Sequence, residues 1–290
     1  MREKIPLPSR VSNGARFLAF FKKHPVMVTS QKKLDLFGFN MKMGGGVHTS
    51  RTIMLLELET LLSRIADSSS LKTVYQDAII NDNCLSKRTE NTRKLTFQHL
   101  VELYGLDPHI TLFRALLFFW GRDVEARPLL ALLCAYSRDP LLRAATPFVL
   151  AWKEEEIIAR EALELYLEGL FPGRFSPATL KSTAQNLNST WTKSGHLTGK
   201  TSKSRTPVIP TPGALCYALF LGYLSGTRGQ ALLTSEYVRI LNCPVSLALT
   251  LAEEASRKGW IVWKRVDDVM EVHFPNLLNE QEAEWIREQS

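Results

Sequence analysis

Residues 176–209 have the sequence SPATLKSTAQNLNSTWTKSGHLTGKTSKSRTPVI, and this stretch decides the fold. Ser176 followed by Pro177 is typical of a helix start, because serine caps the first turn and proline fits the first helical position. The spacing predicts a helix that ends before Gly195, with one apolar face made of Leu180, Ala184, Leu187 and Trp191. A basic hairpin over 198–206 follows. Helix, turn, polar-faced helix and basic hairpin together are typical of a winged helix-turn-helix.

The other face of this helix is polar, and it carries the chemistry expected of a DNA contact. It consists of Lys181, Ser182, Gln185, Asn188, Ser189 and Thr192. Amide and hydroxyl groups bond base edges or phosphates, and lysine or arginine on a wing reaches the backbone. The DNA-binding residues predicted in this segment are Arg174, Lys181, Gln185, Ser189, Lys193, Lys200, Lys203 and Arg205. The alternative is an amphipathic helix followed by a disordered basic loop.

The charge distribution supports a polyanionic partner. The 290-residue chain has a net charge of +7, concentrated in two blocks. Residues 1–56 contain ten Lys or Arg and two acids, and residues 169–235 contain seven Lys or Arg and no acid. Such blocks create a local positive field that scattered charge does not. The alternative is two solvated basic surfaces without a partner.

The N-terminal part divides into an arm and a helical bundle. Residues 1–43 are predicted to form an arm, broken by prolines, whose phenylalanines indicate that it folds back or docks on something. Its predicted DNA contacts are the basic pairs Lys22, Lys23, Lys32 and Lys33. Residues 44–150 are predicted to form a bundle that includes helices at 109–120, 128–137 and 140–151. A long helix with an acidic first turn is expected at 153–169.

Residues 211–290 repeat the winged-helix pattern. They contain an apolar helix, a helix capped by Ser235 or Thr234, a third helix over 245–258 and a hairpin around Asp267 and Asp268. Glu253, Glu254 and the acidic tip repel phosphate, so this copy is expected to be structural or to contact protein. The predicted fold is thus mainly α. A helical bundle precedes two winged helix-turn-helix modules with short β-hairpin wings, a first module at 151–210 and a second module at 211–290.

The chain shows no pattern of an enzyme. The six histidines are scattered, no Cys-x-x-Cys occurs, and no nucleophile elbow or phosphate loop is present. We therefore expect no catalytic residue, metal, cofactor or small-molecule substrate. The four separated cysteines are typical of buried thiols in a reducing compartment, and no apolar run is long enough to span a bilayer. We expect a cytoplasmic protein.

Three stretches together resemble the BrxA family of bacteriophage-exclusion (BREX) defence systems. They are the Gly44–Gly46 joint leading into a helix over 50–65, the segment Ile80-Asn-Asp-Asn-Cys-Leu-Ser-Lys-Arg-Thr89, and the leucine-containing helix and Gly-x-Leu step of 176–197. The resemblance covers roughly residues 44–275. It implies a mostly helical, DNA-binding, non-catalytic component of a multi-gene phage-defence system. The basic arm is longer than the family leads one to expect.

Three function hypotheses follow. The first is non-enzymatic binding of double-stranded DNA in phage defence, together with other defence proteins. The second is a scaffold that bridges such proteins and meets their acidic surfaces with its basic blocks. The third is a winged-helix transcriptional regulator. Salt-dependent binding of DNA separates the second from the others, and an operator preference separates the third from the first.

Overall fold

The computed structural model describes residues 34–42, 45–65, 67–267 and 269–287. The predicted DNA contacts Lys22, Lys23, Lys32 and Lys33 lie outside these ranges, as does Asp268 of the second hairpin. Over the described part the chain is mainly helical, as the sequence predicts. No helix in that part combines the length and the apolar character needed to cross a bilayer.

In the described part of the N-terminal half, six α-helices follow one another between residues 55 and 150. They are α1 (Leu55–Arg64), α2 (Lys72–Ile80), α3 (Glu90–Tyr104), α4 (Thr111–Trp120), α5 (Arg127–Arg138) and α6 (Pro140–Leu150). Side-chain caps explain two of the starts, because Thr89 accepts a hydrogen bond from Thr92 N and Asp139 accepts from Leu141 N and Leu142 N. The three helices predicted after Pro108 agree with α4, α5 and α6 to within about two residues.

The chain before α1 differs from the expectation. The helix predicted over 50–65 begins only at Leu55, and it is preceded by a short 3-10 helix, Val47–Thr49. Residues 51–54 have no regular structure, and Met54 adopts a left-handed conformation with φ 50°. Hydrogen bonds from residues 45–53 to a distant helix, described below, take the place of helical bonds here.

The long helix predicted over 153–169 is wrong in its first half. Strand β1 (Ile157–Ile158) occupies that half, and α7 (Arg160–Leu170) begins only after it. Glu155 has a left-handed φ of 67°, its N–H donates to Arg205 O, and Arg205 N–H donates back to Glu156 O. Pairing with a strand almost fifty residues away therefore overrides the local preference of three glutamates for a helix start.

The rest of the first module is a long helix and a small hairpin. Helix α8 (Pro177–Lys193) is followed by β2 (Leu197–Thr198) and β3 (Lys203–Arg205). The three strands form an antiparallel sheet in the order β1-β3-β2, with Ile158 opposite Lys203 and Leu197 opposite Arg205. The hairpin needs glycine at position 199, where φ is +93° and a Cβ atom would lie 2.1 Å from Ser202 O.

The second module follows the predicted order. Its elements are α9 (Pro212–Leu224), a 3-10 helix (Gly229–Thr234), α10 (Glu236–Ile240), α11 (Val245–Arg257), β4 (Val262–Val266), β5 (Val269–His273) and α12 (Glu280–Arg287). Ser235 caps α10 by accepting from Val238 N. Strands β4 and β5 pair antiparallel, with Val262 opposite His273 and Val266 opposite Val269.

The buried apolar side chains form one continuous core that extends from residue 34 to residue 286. This core includes the last part of the predicted arm of residues 1–43, because Phe37 and Phe39 are only 0% and 4% exposed. Phe37 packs edge-on against Trp285 with ring centroids 6.3 Å apart, and Phe39 against Tyr237 at 6.5 Å. Leu34, Phe37 and Phe39 are thus core residues, and the two phenylalanines make aromatic contacts with the second module.

Candidate nucleic-acid interface

Helix α8 is fixed on the core by the apolar face that the sequence predicts. Ser176 accepts from Thr179 N and Pro177 occupies the first helical position. Ala184, Leu187 and Trp191 are fully buried, and Leu180 is half-buried. One side of the helix is therefore unavailable to a ligand.

The opposite side of α8 carries a narrow exposed stripe, which we call the reading face. It consists of Lys181, Gln185 and Ser189, at successive intervals of four residues, so that they lie along one line of the helix. Lys181 and Gln185 are exposed, and Ser189 is half-buried. Asn188, which the sequence places on the polar face, is instead 5% exposed, because its position on the helix turns toward the core.

Residues 45–53, which we call the flanking segment, run beside α8 from its first turn to its last. Besides the contact of the His48 ring with Thr190, five hydrogen bonds join the segment to α8 and to Arg174 just before the helix. They connect Arg174 to Gly45 (3.3 Å), Ser182 to Thr49 (3.4 Å), Asn186 to His48 (3.1 Å), Thr190 to Ile53 (3.0 Å) and Lys193 to Thr52 (2.7 Å). The contact satisfies backbone groups that have no helix or strand of their own. Sequence spacing gave no indication of it.

A buried polar network fastens the flanking segment to α8 and α6. His48 is fully buried; its Nδ1 lies 3.1 Å from Asp139 Oδ2, and its Nε2 lies 2.9 Å from Thr190 Oγ1. Asp139 also accepts from Val47 N at 2.6 Å. Burial by itself raises the pKa of the Asp139 carboxyl. The His48 ring and the surrounding backbone N–H groups outweigh burial, and the net effect is a pKa below its usual value. The carboxylate is thus held ionised.

Thr190 lies at the centre of that network. Its hydroxyl oxygen is 2.9 Å from His48 Nε2, while His48 Nδ1 faces the Asp139 carboxylate. The Thr190 oxygen in turn accepts from Ile53 N–H. Every polar atom of the Thr190 side chain is therefore used, and none is free to act on a ligand. The network positions α8 and has no access to solvent.

The predicted wing residues divide into one exposed lysine, one half-buried lysine and one buried arginine. Lys200 is exposed at the hairpin tip, and Lys203 is half-buried with its Nζ donating to Gly199 O. Arg205, predicted as a phosphate contact, is only 2% exposed and donates to His196 O and Thr206 O. Its place in the paired strand β3 turns the side chain inward. Arg205 supports the wing and does not reach a ligand.

Carboxylates lie nearer to this wing than the sequence indicates. The run 169–235 contains no acid, but β1 brings Glu154, Glu155 and Glu156 beside Arg205. Glu154 and Glu155 are exposed. The β1 edge of the small sheet is therefore unfavourable to phosphate.

Arg174 lies just before the start of α8, as the sequence predicts. Its guanidinium is 4.9 Å from the ring centre of Phe171 and 5.0 Å from that of Phe175. It has no carboxylate within ion-pair distance among the described residues. Stacking between two rings holds the side chain exposed yet ordered, which suits a phosphate contact.

His196 joins the first module to the second. Its Nε2 lies 2.7 Å from Ile240 O, at the end of α10, and its Nδ1 lies 2.9 Å from Ser194 Oγ. Burial lowers the pKa of His196 to about 3, so the ring is neutral near pH 7. Nε2 must then carry the proton and donate to the carbonyl, while Ser194 donates to Nδ1. The two modules are locked together at this point.

The second module carries the predicted glutamates on its third helix, but the surface of its hairpin is mixed. On α11, Glu253 is exposed and Glu254 pairs with Lys258 at 2.6 Å. On the hairpin, Lys264 faces Glu271 across the strands. Val266 and Val269 form the last pair before the tip and are each 73% exposed. This hairpin presents apolar side chains and charges of both signs, in contrast with the hairpin of the first module.

The segment that carries part of the family resemblance is a structural turn. Ile80–Thr89 connects α2 to α3, with Asn83 and Ser86 at positive φ. Asn83 Oδ1 accepts from Lys87 N at 2.8 Å, and Lys87 pairs with Glu57 at 3.1 Å. Its polar side chains are used to hold the turn on α1, so we assign it no ligand.

No protein-family model matches the chain, and no curated protein matches it either. The function must therefore be argued from the geometry. Among the described residues, no group of three or more His, Cys, Asp or Glu side chains is arranged to hold a metal ion. The four cysteines are free thiols, and burial raises the pKa of Cys134 to about 11.

Proposed function

We propose that this protein is a non-catalytic component of a bacterial phage-defence system that binds double-stranded DNA through its first module. The observation that carries the DNA part is the reading face of α8, where exposed Lys181 and Gln185 lie on a helix that is rigidly packed on its other sides. The defence context comes from the resemblance to the BrxA family. A cytoplasmic location belongs to the same proposal.

The order of elements supports a winged-helix interpretation of this module. Helix α6, strand β1, helices α7 and α8, and strands β2 and β3 follow one another, with the sheet in the order β1-β3-β2. In a winged helix-turn-helix the helix in the position of α8 enters the major groove, and the hairpin after it contacts the neighbouring backbone. Lys200 and Lys203 on that hairpin are then phosphate contacts, and Gln185 faces base edges.

The second module has a different role in this proposal. Its hairpin exposes Val266 and Val269 beside the charge-balanced Lys264–Glu271 pair. A surface of this kind suits a protein neighbour better than a phosphate backbone. This observation favours the alternative function, a scaffold that bridges other defence proteins, for this module only.

The test is the affinity of the purified full-length protein for a mixed-sequence duplex between 50 and 200 mM salt. We expect micromolar or tighter binding that weakens steeply with salt, with single-stranded DNA and RNA competing less well. A panel of duplexes then distinguishes general binding from the operator preference of a regulator. Affinity that does not change with salt rejects the proposal and leaves the scaffold alternative.

A further inference from the structure

The flanking segment lies directly beside the reading face. With 100° per residue, Lys181, Gln185 and Ser189 occupy a sector of about 80° on α8. The residues that bond the flanking segment, Ser182, Asn186, Thr190 and Lys193, occupy the adjacent sector. Side chains that project outward from residues 45–53 therefore border the same surface as Lys181 and Gln185.

Arg51 is the basic side chain at this border. It is half-buried, and one of its nitrogens donates to Ser50 O at 3.0 Å. The next residue, Thr52, accepts from Lys193 Nζ at 2.7 Å, which brings an arginine and a lysine to the same end of α8. Arg51 belongs to the first basic block of the sequence and Lys193 to the second, so the two blocks meet here.

The charges around Arg51 leave its guanidinium without a counter-ion. It forms no ion pair in the part of the chain that the structure describes, where Glu57 is paired with Lys87. Burial lowers the pKa of the neighbouring His99, while the charge of Glu102 opposes that effect and that of Arg51 adds to it. An arginine anchored through one nitrogen keeps its remaining donors for a ligand, and its planar fork matches a phosphate.

We infer that the flanking segment forms a second wall of the DNA surface, in which Arg51 binds a backbone phosphate next to Lys193. This inference rests on the proposed function and extends it to a part of the chain outside both winged-helix modules. The partner is the phosphodiester backbone of duplex DNA, so the contact contributes affinity and no sequence preference. It also gives α8 phosphate contacts on the flank opposite the apolar core.

The experiment compares the salt dependence of duplex binding for the full-length protein and its Arg51→Gln variant. One lost phosphate contact lowers the slope of log K against log salt by roughly 0.9, so the affinity ratio of wild type to variant shrinks roughly 3.5-fold from 50 to 200 mM. Arg51→Lys keeps the charge and is expected to retain the wild-type slope. Arg287→Gln, an exposed arginine on α12, is the matched control without effect.

Lys181→Gln separates this inference from the proposed function. If Lys181→Gln lowers the slope while Arg51→Gln leaves it unchanged, the module binds DNA and the second wall is wrong. If wild type itself shows no salt-dependent binding to duplex, the proposed function fails and the inference fails with it. A slope lowered by Arg51→Gln and restored by Arg51→Lys supports both, and an equal melting temperature of the two variants shows that folding does not cause the change.

Discussion

His196 shows at the residue scale how a single buried ring links two modules. It must stay neutral, because the Ile240 carbonyl accepts from one nitrogen and the Ser194 hydroxyl donates to the other. In the unfolded chain the ring titrates near its ordinary value of about 6.5. Because the folded pKa is lowered, the unfolded state takes up the proton first on acidification. The resulting stability is complete above about pH 6.5 and is lost as the pH falls toward 3.

Lowering the pH from 7 to 5 should therefore reduce the free energy of unfolding by about 2 kcal/mol through His196. His196→Gln keeps a donor for Ile240 and removes the titrating group, so this part of the pH dependence should disappear. Urea unfolding at both pH values measures it. His109→Gln, which removes an exposed ring, is the control and should keep the wild-type difference. An unaltered difference in His196→Gln would assign the pH dependence to other groups.

Thr190 provides a second test at this scale. Thr190→Val keeps the shape and removes the hydroxyl, which leaves Ile53 N–H and His48 Nε2 without partners. Each buried unpaired group costs about 1–3 kcal/mol. Thr192→Val, on the same helix, removes a half-buried hydroxyl that donates only to Asn188 O, and it should change stability by about 0.5 kcal/mol or less. Equal losses in the two variants, measured by urea unfolding, would contradict the role of the network.

At the scale of elements, two β-hairpins with the same place in their modules carry different surfaces. The hairpin of β2 and β3 exposes Lys200 and holds Arg205 inside, whereas that of β4 and β5 exposes valines beside paired charges. The two hairpins differ in exposure because they differ in neighbouring strands. Strand β3 lies between β1 and β2, whereas β4 and β5 have no third strand in the described part. Similar topology thus presents two different surfaces.

The two hairpins are expected to differ in their contribution to DNA binding. Lys200→Ala with Lys203→Ala should weaken duplex binding about equally across sequences and lower the salt slope by roughly one unit per lost contact. Lys264→Ala in the second hairpin should leave binding unchanged. Arg205→Ala should instead destabilise the fold by about 1–3 kcal/mol, since it removes the donor to Thr206 O and one of the two donors to His196 O. Loss of binding in Lys264→Ala but not in the double variant would show that the wrong hairpin has been assigned to DNA.

The whole molecule is held by one core that includes the end of the predicted arm. Residues 34–39 contribute Phe37 and Phe39, which contact Trp285 and Tyr237 of the second module. The second module is further joined to the bundle by the hydrogen bond from Tyr136 to Glu236, at 2.6 Å. The contact between Phe37 and Trp285 thus joins the two ends of the described chain.

Two truncations test whether residues 34–41 contribute to the stability of the core. Deleting residues 1–33 removes eight Lys or Arg residues and should weaken duplex binding while cooperative unfolding is retained. Deleting residues 1–41 also removes both phenylalanines, and each buried phenylalanine is worth about 3–5 kcal/mol. That truncation should unfold at much lower urea or fail to fold. Equal stability of the two proteins, measured by circular dichroism in urea, would return residues 34–41 to the arm.

The sequence by itself determined the local features of this protein. Caps such as Ser176 and Ser235, proline starts, and the apolar face of α8 depend on contacts within a few residues, and these predictions are confirmed. The same holds for the exposure of Lys181 and Gln185, because helical spacing sets the direction of a side chain. That this surface binds DNA stays a prediction.

The tertiary structure alone decided which distant residues meet. Pairing with β3 turned 157–158 into a strand, burial in that sheet withdrew Arg205 from the surface, and aromatic packing moved Phe37 and Phe39 into the core. The contact of the flanking segment with α8, which brings Arg51 to Lys193, joins residues some 140 positions apart. Such contacts form because buried backbone and side-chain groups need hydrogen-bond partners. They leave no periodic pattern in the sequence, so only the assembled fold reveals them.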